Sequence, residues 1–124
     1  MSVAILQQGD YLIASIQFDL TDSQVLELRD DLSDRIGRSR VRGLIIDVAA
    51  LDVIDSFVAR SLGSIAITAR LRGAETVIVG IEPDVAIAMV QFDLDLEPFQ
   101  TALDLDEGLT LLDRRIQRDG EDGA

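Results

Sequence analysis

The chain has 124 residues, the length of one domain with room for a real core, and its 11 basic against 23 acidic side chains leave a net charge of −12. Every basic residue is Arg, because there is no Lys and no His, and there is no Cys either. This inventory excludes a serine hydrolase relying on His or Lys, a Cys/His zinc site, thiol redox chemistry and disulfides. The charge disfavours nucleic acid and anionic lipid, so partners are expected to be proteins or cations. The opening MSVAILQQGDYLI lacks the basic segment and unbroken apolar stretch of a signal peptide, and no run nears the ~20 apolar residues of a membrane span. A cytoplasmic, non-membrane protein is expected.

In chain order, Val3 to Leu6 and Tyr11 to Phe18 read as two strands joined by a turn at Gln7, Gln8, Gly9 and Asp10. Thr21 with Gln24 forms a capping box, and Leu20 is spaced to staple onto Val25, so a helix starts here. Val25, Leu28, Leu32 and Ile36 give that helix a buried face, and Gly37 is expected to end it. Gly43 to Val48 is continuously apolar apart from Asp47, as in a central strand covered on both faces. Helical periodicity returns from Ser56 to Arg72 and closes at Gly73, and Thr76 to Val79 is the next strand.

Pro83 suits the first turn of a third helix with Val85, Met89 and Phe92 on its apolar stripe, and Pro98 marks the loop beyond it. A short strand near Phe99 to Ala102 follows, then a fourth helix capped at Asp104 and Glu107 and carrying Leu109, Leu112 and Ile116. Alternating strands and helices after an initial hairpin predict an α/β domain: a mixed central sheet of about four to five strands with about four helices. Residues 1–117 are expected to form that domain and 118–124 a frayed tail.

The chemistry concentrates in LDVIDSFVARSLG, residues 51–63, where Asp47, Asp52 and Asp55 surround a strand-to-helix turn. Either Asp55 or Ser56 can cap the helix by accepting free first-turn amides. A carboxylate Mg²⁺ site is a second reading, weakened by the missing Lys and by the lack of a proton donor. The same absence argues against a receiver domain phosphorylated on Asp47, and neither a P-loop nor a dinucleotide-binding glycine turn occurs. Phe57 is either a core aromatic or an exposed anchor. Small residues along the helix, Gly63 among them, suggest close packing on the sheet or contact with another subunit. The arginines of that helix, Arg60 included, are solvated by default.

The stretch DVAALDVIDSFVARSLG, preceded by VRGLIIDV and followed by LRGAETVIVGIEPDVA, resembles a STAS domain, the fold of bacterial anti-sigma factor antagonists. Its Asp-Ser-Phe step resembles the RsbS branch, and the similarity runs from SIQFDLTD to TALDLDEGL. The resemblance implies a non-enzymatic core component of the stressosome, assembling with RsbR-type paralogues and with itself. It further implies an RsbT-type serine kinase held in check, phosphorylation of the serine that matches Ser56, and reversal by an RsbX-type phosphatase. Asp47, Asp52, Asp55, Phe57 and Arg60 would then form the phosphosite environment and kinase interface, without cofactor or metal. The alternative is a simpler STAS antagonist that binds an anti-sigma kinase one to one.

Overall fold

The computed structural model describes residues 3–51, 54–81 and 100–122. Five strands, β1 (Val3–Gln8), β2 (Tyr11–Ile16), β3 (Gly43–Asp47), β4 (Glu75–Val79) and β5 (Gln100–Ala102), lie side by side in that order. β1 and β2 are antiparallel, and every later pair is parallel. The described helices are α1 (Asp22–Ser39), α2 (Ser56–Leu71) and α3 (Leu105–Asp122). The mixed sheet is the expected one. The helix expected from Pro83 lies outside the described residues.

The period of two along each strand divides the core in two. Leu12, Ala14, Leu44, Ile46 and Ile78 face α1 and α2, where Leu28, Leu32, Ile36, Leu62 and Ala66 meet them. Ile13, Ile45, Val77 and Val79 face the opposite way and are covered by Leu112 of α3. Such two-sided burial is why β3 reads as an unbroken apolar run rather than an alternating one. Removing a large side chain here, Leu44 for example, typically costs about 2–5 kcal/mol.

α1 starts as expected: the Thr21 hydroxyl accepts the Gln24 amide at 3.2 Å and the Gln24 side chain accepts the Thr21 amide at 2.9 Å. Its end differs from expectation. The helix passes through Gly37 to Ser39, and Arg40 supplies the left-handed cap at φ 51°. A Cβ at Gly37 would meet only the Arg72 guanidinium, the far end of a flexible side chain. This cation rests against the last turn of α1, where the helix dipole favours positive charge. α3 also departs from the sequence reading, since its helical backbone continues through Asp122, across most of the stretch read as a tail.

α3 is tied to the other end of the sheet by polar contacts. Arg115 pairs with Glu75 of β4 at 3.5 Å, and the Tyr11 hydroxyl donates to Asp113. Burial, helped by the Asp113 carboxylate, pushes the Tyr11 pKa up to about 12. The folded state therefore holds the phenolic proton more tightly than the unfolded chain, whose tyrosine titrates near 10. This contribution to stability is complete below about pH 10 and drains away as the pH rises toward 12. Tyr11 is the sole tyrosine, so phenolate absorbance reports on it alone. The native protein is expected to titrate near 12, with a lower midpoint in Asp113→Asn.

Candidate functional site

The C-terminal ends of the parallel strands carry the loops that lead into the helices, and the 48–55 connection brings the chain from β3 to α2. Its start is fixed from two sides. The Asp47 carboxylate accepts the Ala49 amide at 2.9 Å, and the Val48 amide donates to the Val79 carbonyl at 3.0 Å. Gly80 then passes so close to Ala49 that a Cβ on it would lie 2.9 Å from the Ala49 nitrogen and Cα, and its φ of 83° is one that glycine adopts freely. At the far end of the loop, Leu51 and Ile54 are buried in the core. The backbone is thereby anchored on both sides of the turn that delivers Ser56.

Between the two capping readings the geometry selects Asp55. Its extended backbone and carboxylate, which accepts the Val58 amide at 2.8 Å, make it the N-cap of α2. Ser56 is the first helical residue, half-buried, and the cap does not use its hydroxyl. Phe57 is also half-buried, lying between the two expectations for it, and its carbonyl accepts the Ser61 hydroxyl at 2.8 Å. Arg60 is exposed one turn on. Asp52 lies outside the described residues. Asp47 and Asp55 each spend a carboxylate oxygen on a separate amide, and among the described residues no group of three acids is placed to hold a metal.

A cavity of about 200 Å³ opens beside the start of α2. Ile16, Leu20, Leu51 and Val58 are among its apolar lining, and Asp19 and Asp55 are its acidic lining. The neighbouring loop after β2 carries Phe18, 64% exposed. Sequence reading placed Phe18 in the strand, but β2 ends at Ile16. The signal available was the capping box at Thr21 with Asp19 just ahead of it, which marks the preceding residues as loop. Gly63 meets no described atom within 4 Å of a Cβ position, so packing on the sheet does not account for it. It lies near Ile67, 51% exposed, on an open stretch of α2.

Charge is distributed along the same axis. Asp19, Asp22, Asp55 and Asp106 lie at helix starts, whereas Arg38, Arg40, Arg70 and Arg72 lie where α1 and α2 end. The dipoles of α1 and α2 are complemented at both ends by this arrangement and that of α3 at its start, and the Ser56 end is left acidic. No described helix is long and apolar enough to cross a membrane.

The chain belongs to the STAS domain family, whose model matches residues 2–108. Within it, the chain is 37% identical to a serine-to-glutamate variant of RsbS from Moorella thermoacetica, with a TM-score of 0.84 over 94% of this chain and 99% of that one. A chain from the molecular architecture of the stressosome, described as a signal integration and transduction hub, is 35% identical, with a TM-score of 0.75 over 91% of this chain and 98% of that one. The RsbT co-antagonist protein RsbRA of Bacillus subtilis is 29% identical over 98 residues, 76% of this chain. The chain spans 36% to 63% of the length of the curated relatives it matches.

The division of labour between Asp55 and Ser56 has a measurable consequence. Asp55→Ala is expected to cost about 1 kcal/mol of stability and Asp55→Asn a fraction of that, because Asn caps nearly as well. Ser56→Ala should stay within about 0.5 kcal/mol of wild type in urea denaturation, as expected where no cap or core contact is lost. A larger loss for Ser56→Ala than for Asp55→Ala would reverse the assignment.

Proposed function

We propose that this chain is an RsbS-type stressosome component, a non-enzymatic scaffold and phospho-switch that holds an RsbT-type serine kinase and releases it when Ser56 is phosphorylated. The observation that carries the reading is the position of Ser56 as first residue of α2, beside a cap supplied by Asp55. Similarity to RsbS and to a stressosome chain supports it. So does the solved RsbS relative being a serine-to-glutamate variant, a change that adds negative charge as a phosphate does.

Physical chemistry makes such a switch workable. A phosphate on Ser56 brings about −1.5 to −2 charges to a helix start, where free amides and the dipole favour an anion. The fold tolerates it. The same charge lands next to Asp55 on a chain of net charge −12, so a partner docked over this turn meets new repulsion and a larger desolvation cost. Asp47, Asp52 and Asp55 shape the phosphosite, Phe57 and Arg60 contribute to the kinase interface, and the apolar cavity beside Val58 accepts an apolar side chain of the kinase. RsbR-type paralogues complete the assembly, and an RsbX-type phosphatase resets it.

The test is peptide mass spectrometry after incubation with the cognate switch kinase and ATP, comparing wild type with Ser56→Ala. One phosphoryl group on Ser56, absent from the variant, with unchanged far-UV circular dichroism, is the expected result. An unmodified Ser56, with the kinase active on another substrate, overturns the reading. A large loss of secondary structure on phosphorylation would replace a local electrostatic switch by an unfolding one.

A further inference from the structure

The cavity at the start of α2 reaches into the core layer between two helices. Leu28 of α1 and Leu62 and Ile65 of α2 line its depth, each 4% exposed or less. Asp19, Leu20, Asp55 and Val58, all more exposed, surround its mouth. Its volume is about 200 Å³, whereas protein interiors pack closely and seldom leave a void larger than a water molecule. Water fills such a space poorly, because it needs about two to four polar partners and the depth of this cavity offers only hydrocarbon side chains.

Size and charge together define the occupant. An apolar cavity of about 150 Å³ takes benzene, and sites for drug-sized ligands start near about 300 Å³, so this one suits a single aromatic ring or branched aliphatic group with a short arm. Among the described residues the only polar side chains in the lining are those of Asp19 and Asp55. Asp55 gives one oxygen to the Val58 amide, and among the described residues no hydrogen bond or ion pair engages Asp19. The starts of α1 and α2 contribute about half a positive charge each, which the two full carboxylate charges outweigh. No arginine of the described residues lines the cavity, and the net charge of −12 reinforces the negative potential at its mouth. We propose that the cavity binds a small organic ammonium ion, its apolar body among Leu28, Leu62 and Ile65 and its N–H groups on Asp19 and the second oxygen of Asp55.

An ammonium ion satisfies both ends of the cavity where other classes satisfy one. A neutral hydrocarbon leaves the carboxylates unused, an alcohol brings a single donor without charge, and an anion is repelled. The site lies beside Ser56 without using its hydroxyl. One consequence rests on the function proposed above: the amine occupies the space assigned there to an apolar side chain of the kinase, so amine binding and kinase docking exclude each other. The binding site itself requires neither a kinase nor a phosphate.

Benzylamine, protonated at neutral pH, is the probe, with benzyl alcohol and benzoate as neutral and anionic counterparts of the same ring. Each is titrated into isotope-labelled chain and followed through the amide chemical shifts. Benzylamine is expected to bind at least tenfold more tightly than benzyl alcohol and to shift the amides of Leu51, Val58 and Leu62 most, while benzoate does not bind. Asp19→Asn removes an exposed charge and is expected to weaken benzylamine at least tenfold while leaving benzyl alcohol unchanged. Val58→Trp fills the mouth and is expected to abolish binding of both, with circular dichroism checking the fold; if that variant does not fold, Asp19→Asn and the shift pattern carry the test. No saturable shift by about 10 mM benzylamine, equal affinity for amine and alcohol, or shifts clustered away from α2 overturn the proposal. No kinase enters the titration, so a failure here leaves the reading of Ser56 standing, and a failure at Ser56 leaves this site standing.

Discussion

The approach of Gly80 to Ala49 is the constraint on which the arrangement of the site depends. A parallel sheet brings the ends of β3 and β4 to one edge, and the chain must there leave β3 toward α2 on one face. The Val48 amide continues the ladder one step beyond the strand by donating to Val79, and Gly80 donates to Ala102 of β5 at 3.2 Å. A side chain at Gly80 would collide with the Ala49 backbone, so the loops can lie against each other only because glycine stands there. With the first part of the loop held in this way and Leu51 and Ile54 sunk in the core, the start of α2 has little freedom. The modification site proposed at its first residue would thus be presented by rigid elements rather than by a loose loop.

The charge distribution follows from the same topology. Parallel strands joined by α1 and α2 put the starts of these helices at one end of the sheet and their ends at the other, so dipole complementation favours acids at the first and arginines at the second. Arg72 shows how far this goes, since it closes α2 while its guanidinium rests on the last turn of α1 over Gly37. The acidic character of the Ser56 end therefore has a structural origin before it has any functional one. Exposed ion pairs such as Arg29 with Asp30 at 3.4 Å add little to stability, and the apolar layers on the two faces of the sheet carry the fold.

Much of this was legible in the sequence because the signals were local. The capping box at Thr21, the apolar run of β3 and the 3.6-residue stripe of α2 each depend on neighbours in the chain, and each formed where expected. What misled were residues whose roles are set by distant partners. Gly37 looks like a helix terminator, yet α1 runs through it to Ser39 and the left-handed cap falls to Arg40. Phe18 continues a β-rich run in sequence, yet the strand stops at Ile16 because its parallel partner β3 stops at Asp47, opposite Ser15. At the site, sequence left Asp55 and Ser56 as rival caps, since both side chains can accept the same amides. Register through the buried Ile54 and Ala59 decides between them, and register depends on the tertiary core.

Assigning the cap to Asp55 also bears on how a phosphate would act, on the reading proposed for Ser56. Were Ser56 the cap, modifying its oxygen would disturb the bond that starts α2, and structure and charge would change together. With the cap carried by Asp55, a phosphate one residue later adds charge to a helix start already satisfied by a carboxylate. Two anions then share one helix dipole, whose benefit is about 0.3–1 kcal/mol per charge at exposed positions. That is too little to offset repulsion from an acidic docked partner surface, yet enough to keep the helix from fraying. The balance favours a switch whose energy is spent almost wholly at the interface: the folded domain persists in both states, and what differs between them is the surface a partner meets.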